Sequence, residues 1–586
     1  MEQNLLTLLI FLPLAGALVA LFLRGDGVLK GWATLVTLVE AVLSVSLWTG
    51  FDPSTAAFQF RETYEWIPAL GIRYAVGIDG ISLLLVLLTT FILPLCVLCS
   101  WRYIETRIKE FLFSLLVIES AMVGVFCALD LVLFYVFWEA MLIPMYLLIA
   151  VWGGPNKTYA SIKFFLYTLA GSVLLLVAII ALYLSQGTFS IPDLMGKGYS
   201  FAFQFWVFLA FALAFAIKVP MFPFHTWLPA AHVEAPTAGS VILASVLLKM
   251  GTYGFLRFCL PITPLAINYL APVFLWGSIV SILYGGFVAF GQKDMKKLIA
   301  YSSVGHMGFV TLGIFLMNQR GVEGSILQMV NHGITTGALF ICVGILYERT
   351  HSRLIADNSA IGKFMPMYVG FLGLFSLSSL AFPGTNSFVG ELLVLIGAFS
   401  QWKLLAAFAI PGALLAAAYM LRLLQKIVWD RVSGHDHGHG HDEGHGAHGA
   451  HERHLFDLNP REFATLAFLT VFVFWIGLNP RPFLSVMTTS VQNVIAQSAV
   501  AGGQELPSGG LPGLMSALGI SLGHGGGHGG GQGEAPGGEA HEAPAPGAHG
   551  EAAIPAPESE PTAAPAEEAG PPEGTQHGAE QAPATH

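Results

Sequence analysis

The sequence predicts an all-α polytopic membrane protein of about fourteen transmembrane helices, with two inverted five-helix repeats and with helices 7 and 12 broken. Three observations carry this. Of the 586 residues, 54% are hydrophobic and only 11% are charged, whereas a soluble domain typically carries about a quarter charged residues. Apolar runs of about 20 residues recur along the chain, each long enough to cross roughly 30 Å of hydrocarbon. Two of these runs, five apart, are interrupted by Pro and Gly. Membranes tolerate such interruptions only where the freed backbone is buried or faces a wet cavity.

The elements follow in order. Spans 4–23, 30–49 and 81–100 form an N-terminal segment, 1–110. The chain opens Met-Glu-Gln-Asn, without the basic region of a cleaved signal peptide, so the first span is expected to be retained. Spans 111–129, 130–152, 160–184, 203–229 and 237–260 form a first repeat, 111–260. Its fourth member carries Pro220, Pro223 and Pro229. Spans 266–289, 297–316, 322–347, 364–400 and 402–429 form a second, 261–432, whose fourth member contains Phe382-Pro383-Gly384-Thr385-Asn386-Ser387. An odd number of spans per unit inverts the second copy. A His-rich loop, 433–455, precedes the last span, 462–479, within segment 456–501. A Gly/Ala/Pro/Glu-rich tail, 502–586, has the composition of a disordered segment.

Charge adds orientation. The net charge is −10, but the tail alone holds eleven Glu and no Lys, Arg or Asp. The body is nearly neutral and has no basic patch able to track nucleic acid. With the N-terminus outside, the cytoplasmic loops collect eighteen Lys and Arg and the opposite side seven, which places both termini outside. Eight histidines in the His-rich loop fit no defined metal geometry and suit a solvated linker with incidental metal affinity. Cys96-x-x-Cys99 lacks a second pair and suits buried apolar packing.

Ionisable residues inside the membrane are the functional candidates, because each is costly to insert there. Lys249 has about a dozen apolar or small residues on either side. Lys218 follows thirteen apolar residues and immediately precedes the Pro220 break. Either could exchange a proton in a wet cavity or hold helices together in an ion pair. Glu139, ahead of Pro144, is the natural partner for a buried lysine. Glu391 opens the half-helix after Pro383-Gly384, where it could also complement the helix dipole. His306 and His332 sit near the centres of adjacent spans and could relay protons near neutral pH. Glu40 and Glu119 are further intramembrane acids with nothing local to pair them. His225, His232 and Glu234 near a cytoplasmic end either admit protons or hydrogen-bond structurally. The chain shows no nucleotide-binding turn and no cysteine cluster for iron–sulfur, so the driving force must come from elsewhere.

Lys218-Val-Pro-Met-Phe-Pro-Phe-His225-Thr-Trp-Leu-Pro229-Ala-Ala-His232, followed by Leu-Leu-Lys249-Met-Gly-Thr-Tyr-Gly254, resembles the signature of the antiporter-like subunits of proton-pumping NADH:quinone oxidoreductase, respiratory complex I. That family is related to the large subunits of multisubunit Na⁺/H⁺ antiporters. Within it the chain is most similar to the M-type chains, counterparts of mitochondrial subunit four, and Glu391 distinguishes it from the L and N types. The resemblance implies a proton-translocating membrane-arm subunit, with the Na⁺/H⁺ antiporter subunit as the alternative. Under it, Glu139 and Lys218 modulate, Lys249, His306 and His332 relay, and Glu391 leads out or to the next subunit. It implies no cofactor or metal in this chain, FMN and iron–sulfur clusters in partner chains, and L-, N- and K-type neighbours. NADH and quinone are used by the whole complex, in a bacterial inner membrane. The tail and the His-rich loop depart from the family.

Overall fold

The computed structural model describes residues 4–429 and 456–500, together with positions 514, 515, 517 and 518. The His-rich loop and nearly all of the acidic tail lie outside the described residues. Two helices, α1 (Leu5–Phe22) and α2 (Asp26–Gly50), lead into an antiparallel hairpin of β1 (Gln59–Ile67) and β2 (Ile72–Ile78). The hairpin was not legible as an element in the sequence. Glu62 of β1 accepts from the backbone N–H of Leu6 at 2.8 Å, satisfying a donor left free at the start of α1. Helix α3 (Gly80–Cys99) is capped by Asp79, whose carboxylate accepts from the N–H groups of Ile81 and Ser82.

The first repeat comprises α4 (Ile108–Cys127), α5 (Leu131–Ala140) running on into α6 (Leu142–Trp152), α7 (Lys157–Gln186), α8 (Phe201–Lys218), α9 (Trp227–Glu234) and α10 (Thr237–Ile262). The second comprises α11 (Pro264–Phe290), α12 (Met295–Phe315), α13 (Gln319–Thr350), α14 (Pro366–Ser379), α15 (Asn386–Gln401) and α16 (Lys403–Val428). Helices α17 (Pro460–Leu478) and α18 (Arg481–Val500) follow. Among the described residues thirteen helices are long and apolar enough to cross a membrane, or up to fourteen when bent pairs count as one span.

Both predicted breaks are present, and each occupies the fourth span of its repeat. In the first, α8 ends at Lys218 and α9 resumes at Trp227. The indole of Trp227 donates to the Ile217 carbonyl at 2.8 Å, and the Phe222 N–H donates to Ser281 Oγ at 3.1 Å. In the second, α14 and α15 are separated by Leu380–Thr385, with Gly384 at φ +91°, a conformation that glycine adopts without strain. Backbone polar groups released inside a membrane protein must find partners within it, and at both breaks side chains supply them.

Burial sorts the helices. Every residue in the most apolar window of α10 and of α13 is buried, whereas α1, α2, α7, α11, α16 and α17 leave most of that window open to the surroundings. The helices that carry Lys249 and His332 are thus the innermost.

Candidate functional site: a buried line of titratable side chains

Helix α10 departs from regular α geometry on both sides of Lys249. Residues Leu243–Leu247 and Phe255–Cys259 form π-type turns, irregularities that loosen the i→i−4 ladder. The Lys249 ammonium turns back to donate to the Ala244 carbonyl in the first of these turns. It also lies 2.6 Å from Nδ1 of His332 on α13. Lys249 is fully buried.

Beyond His332 stands a second histidine. The His332 ring centroid lies 5.9 Å from that of His306 on α12. His306 Nδ1 is 2.9 Å from Oε1 of Glu391 on α15. On the other face of the His306 ring, Nε2 meets Ser379 Oγ at 3.3 Å and the Tyr419 hydroxyl at 3.4 Å. Lys249, His332, His306 and Glu391 come from four helices and are 0–5% exposed.

Polar side chains that the sequence reading passed over fix the far end of this line. Gln328 donates to Glu391 Oε1 at 3.0 Å. Asn331 donates to the Asn386 carbonyl at 2.8 Å, and Asn386 returns a bond to the Asn331 carbonyl at 3.3 Å. Ser378, at the end of α14, donates to Asn386 Oδ1 at 2.6 Å. The Asn331–Asn386 exchange ties the start of α15 to α13, so the second break is anchored to the helix carrying His332. The signal was present in the sequence as two amides three residues apart in an apolar span.

The second lysine is arranged differently. Lys218 Nζ lies 4.9 Å from the Trp138 ring centroid and 3.7 Å from Met141 Sδ. Among the described residues it makes no ion pair with Glu139, which acts on it only through the longer-range field. Glu139 is partly exposed, and its Oε1 is buried without a protein partner. The Lys218 ammonium instead faces the ring of the neighbouring Trp138 in a cation–π contact.

At the end where α9 meets α12 and α13, His232 stacks on Phe340 with centroids 4.5 Å apart, and neither of its nitrogens has a protein partner. It lies in electrostatic range of both Lys249 and Lys296. Both nitrogens of His225 also lack protein partners. Glu234 Oε2 accepts from the Asn156 N–H at 3.0 Å, and Lys296 donates to the Ala235 carbonyl at 2.8 Å. A cavity lined by Lys163, Thr226, Glu234, Lys297 and Tyr301 opens beside them. Glu40 and Glu119 lie apart from this line, in contact with one another. All five cysteines are free thiols. Among the described residues no group of three or more His, Cys, Asp or Glu is placed to hold a metal ion.

This arrangement holds four buried titratable side chains in two close pairs, Lys249 with His332 and His306 with Glu391, whose histidine rings stand 5.9 Å apart. Residues 128–416 match the family described as NADH:quinone oxidoreductase/Mrp antiporter, TM, and residues 8–124 match NADH-ubiquinone oxidoreductase chain 4, amino terminus. NADH-quinone oxidoreductase subunit M of Rhodobacter capsulatus is 49% identical over 446 residues, covering 73% of this chain and 86% of that protein. NADH-ubiquinone oxidoreductase chain 4 of Marchantia polymorpha is 42% identical over 490 residues, covering 83% and 96%. Among solved structures, respiratory complex I from Thermus thermophilus with bound NADH aligns with a TM-score of 0.75 at 32% identity, covering 85% of this chain and all of that one. The Mrp complex from Dietzia sp. shares the fold at 22% identity and a TM-score of 0.69, covering 88% and 54%.

Proposed function

Because this chain belongs to the NADH:quinone oxidoreductase subunit M and chain 4 family, we propose that it carries protons along the line Lys249, His332, His306, Glu391. It is a proton-translocating membrane-arm subunit of respiratory complex I, and the redox chemistry belongs to partner chains. Moving a proton against the membrane potential requires about 2.3 kcal/mol per 100 mV, which the electron transfer supplies.

The observation that carries the assignment of residues is the 2.6 Å approach of Lys249 to His332 together with the 2.9 Å approach of His306 to Glu391. A proton reaching Lys249 passes to Nδ1 of His332 when the lysine is driven toward its neutral form. Histidine can release a proton from its second nitrogen. His306 faces it, and Glu391 Oε1, 2.9 Å from His306 Nδ1, is the next group along the line. Lys218 sits off the line, where Trp138 stabilises its charge. A change at Glu139 alters the field on Lys218 and, through it, the ease of loading Lys249. We assign Glu139 and Lys218 this modulating role. We assign the entry side to the cavity beside Glu234, with His225 and His232 as the groups that admit protons from it.

The excess of basic residues in alternate loops supports a reading with both termini on the periplasmic side of a bacterial inner membrane. Neighbouring L-, N- and K-type chains and partner chains carrying FMN and iron–sulfur clusters complete the reading.

The test is purification of the tagged chain in mild detergent, with assays of NADH:quinone reductase activity and proton flux for wild type and Lys249→Ala. Co-purification with flavin and iron–sulfur chains is expected. The variant should assemble but lose proton flux. Recovery with small membrane subunits alone, without redox activity, would instead indicate a cation/proton antiporter.

A further inference from the structure

Glu40 of α2 and Glu119 of α4 are fully buried. Among the described residues no donor gives a hydrogen bond to any of their four carboxyl oxygens. The two carboxyls are electrostatic neighbours on the packed helices α2 and α4. An ionised carboxylate only accepts hydrogen bonds, whereas a protonated carboxyl can donate one. Two ionised carboxylates in contact within a membrane interior would also repel strongly. The donor that this contact lacks is a proton on one of the two groups.

We propose that Glu40 and Glu119 form a proton-binding site, a carboxyl pair that holds one shared proton between α2 and α4, separate from the line that runs from Lys249 to Glu391. On α3, the Cys96 thiol lies in the field of Glu119. From α1 the nearby contact is a backbone one, the Ile10 carbonyl, which takes the Ser120 hydroxyl at 2.5 Å.

The surroundings favour a proton over a metal cation and give it a way in. Thr34, Thr37, Glu40 and Ser44 follow one another at helical spacing on α2. Thr34 donates to the Lys30 carbonyl at 2.8 Å and Thr37 to the Ala33 carbonyl at 3.0 Å. Ser44 lies 2.8 Å from Thr90 Oγ1 on α3. These hydroxyls are committed to the backbone and to each other, so they do not converge to complete a cation shell. Their oxygens keep free lone pairs, and the stripe leads from the carboxyl pair toward Lys30 at the start of α2.

The experiment uses the assembled membrane complex. Infrared difference spectra on a pH step should show a protonated-carboxyl C=O component that both Glu40→Gln and Glu119→Gln abolish. A hydrophobic carbodiimide, which reacts with protonated carboxyls in apolar surroundings, should label Glu40 or Glu119 in the wild-type complex, as read by mass spectrometry of its peptides. This second readout needs no variant and holds if either variant fails to assemble. The proposal is overturned if neither residue is labelled at any pH. It is equally overturned if the two variants remove two different bands, or if Na⁺ at constant pH shifts the component.

Discussion

Lys249 Nζ stands 2.6 Å from His332 Nδ1, and the other nitrogen of that ring, Nε2, has no partner among the described residues. An ammonium that donates to Nδ1 fixes the neutral histidine with its proton on Nε2. The free Nε2 is then the group from which a proton leaves once Nδ1 receives the next one. His332→Ala should therefore leave Lys249 buried with its backbone contact to Ala244 and no acceptor beyond it. We expect proton flux to fall by roughly 10²-fold, the usual contribution of a positioned proton-transfer group, with assembly intact. Vesicle proton uptake measured beside electron transfer checks this. Unchanged flux would remove His332 from the line.

Glu391 and His306 should separate charge from hydrogen bonding. Glu391→Gln retains an acceptor for Gln328 but removes the charge that faces His306 at 2.9 Å. Pumping is expected to drop sharply while thermal stability changes little. Gln328→Ala removes one of the two hydrogen-bond partners of Glu391 Oε1 and should cost about 1–3 kcal/mol, because that buried oxygen loses a donor. Thermal unfolding of the purified complex, read beside proton flux, distinguishes the two variants. Equal destabilisation by both would argue for a purely structural pair.

Gly251 sets how closely α10 meets the first break. A Cβ there would lie 2.7 Å from Val219 Cγ2, 2.8 Å from the Phe215 carbonyl oxygen and 3.1 Å from Lys218 Cβ. The Phe215 backbone cannot yield as a flexible side-chain tip can. Gly251→Ala should therefore cost about 1–3 kcal/mol through overpacking and displace Lys218 from Trp138. Reduced proton flux with electron transfer retained is the expected signature. A variant with wild-type thermal stability would show that the contact is looser than this.

The buried Arg257–Asp79 bridge, 2.6 Å long, joins α10 to the cap of α3. Burial pushes the Asp79 carboxyl up, but the guanidinium outweighs it and holds the group below the ordinary carboxylate range. A carboxylate depressed in this way contributes stability that is present above about pH 4 and lost as pH falls through the lower folded value. Asp79→Asn should cost about 3–5 kcal/mol near neutral pH, since it leaves Arg257 buried without a counter-charge. It should also flatten the acid limb of the melting temperature against pH. An acid limb identical to wild type would assign that limb to other carboxylates.

Much of this protein is legible in one dimension. Long apolar runs determine that α1 to α4, α7, α10 to α13 and α16 exist, because a bilayer demands closed backbone hydrogen bonding over a fixed length. Proline and glycine locate both breaks, since neither residue continues the ladder freely. The cost of burying charge singles out Lys218, Lys249, His306, His332 and Glu391 before any coordinate is known. The sequence cannot state distance. Lys249 and His332 are 83 residues apart and His306 and Glu391 85, so only the packing of α10, α12, α13 and α15 brings them into one line. Packing likewise turned the lysine at the first break toward Trp138 instead of Glu139. It also set Glu40 against Glu119, two acids for which the chain offers no local partner. Hydropathy is a property of each residue's transfer from water, and the sequence carries it whole. Contact between distant side chains depends on how helices cross, and that was decided only in three dimensions.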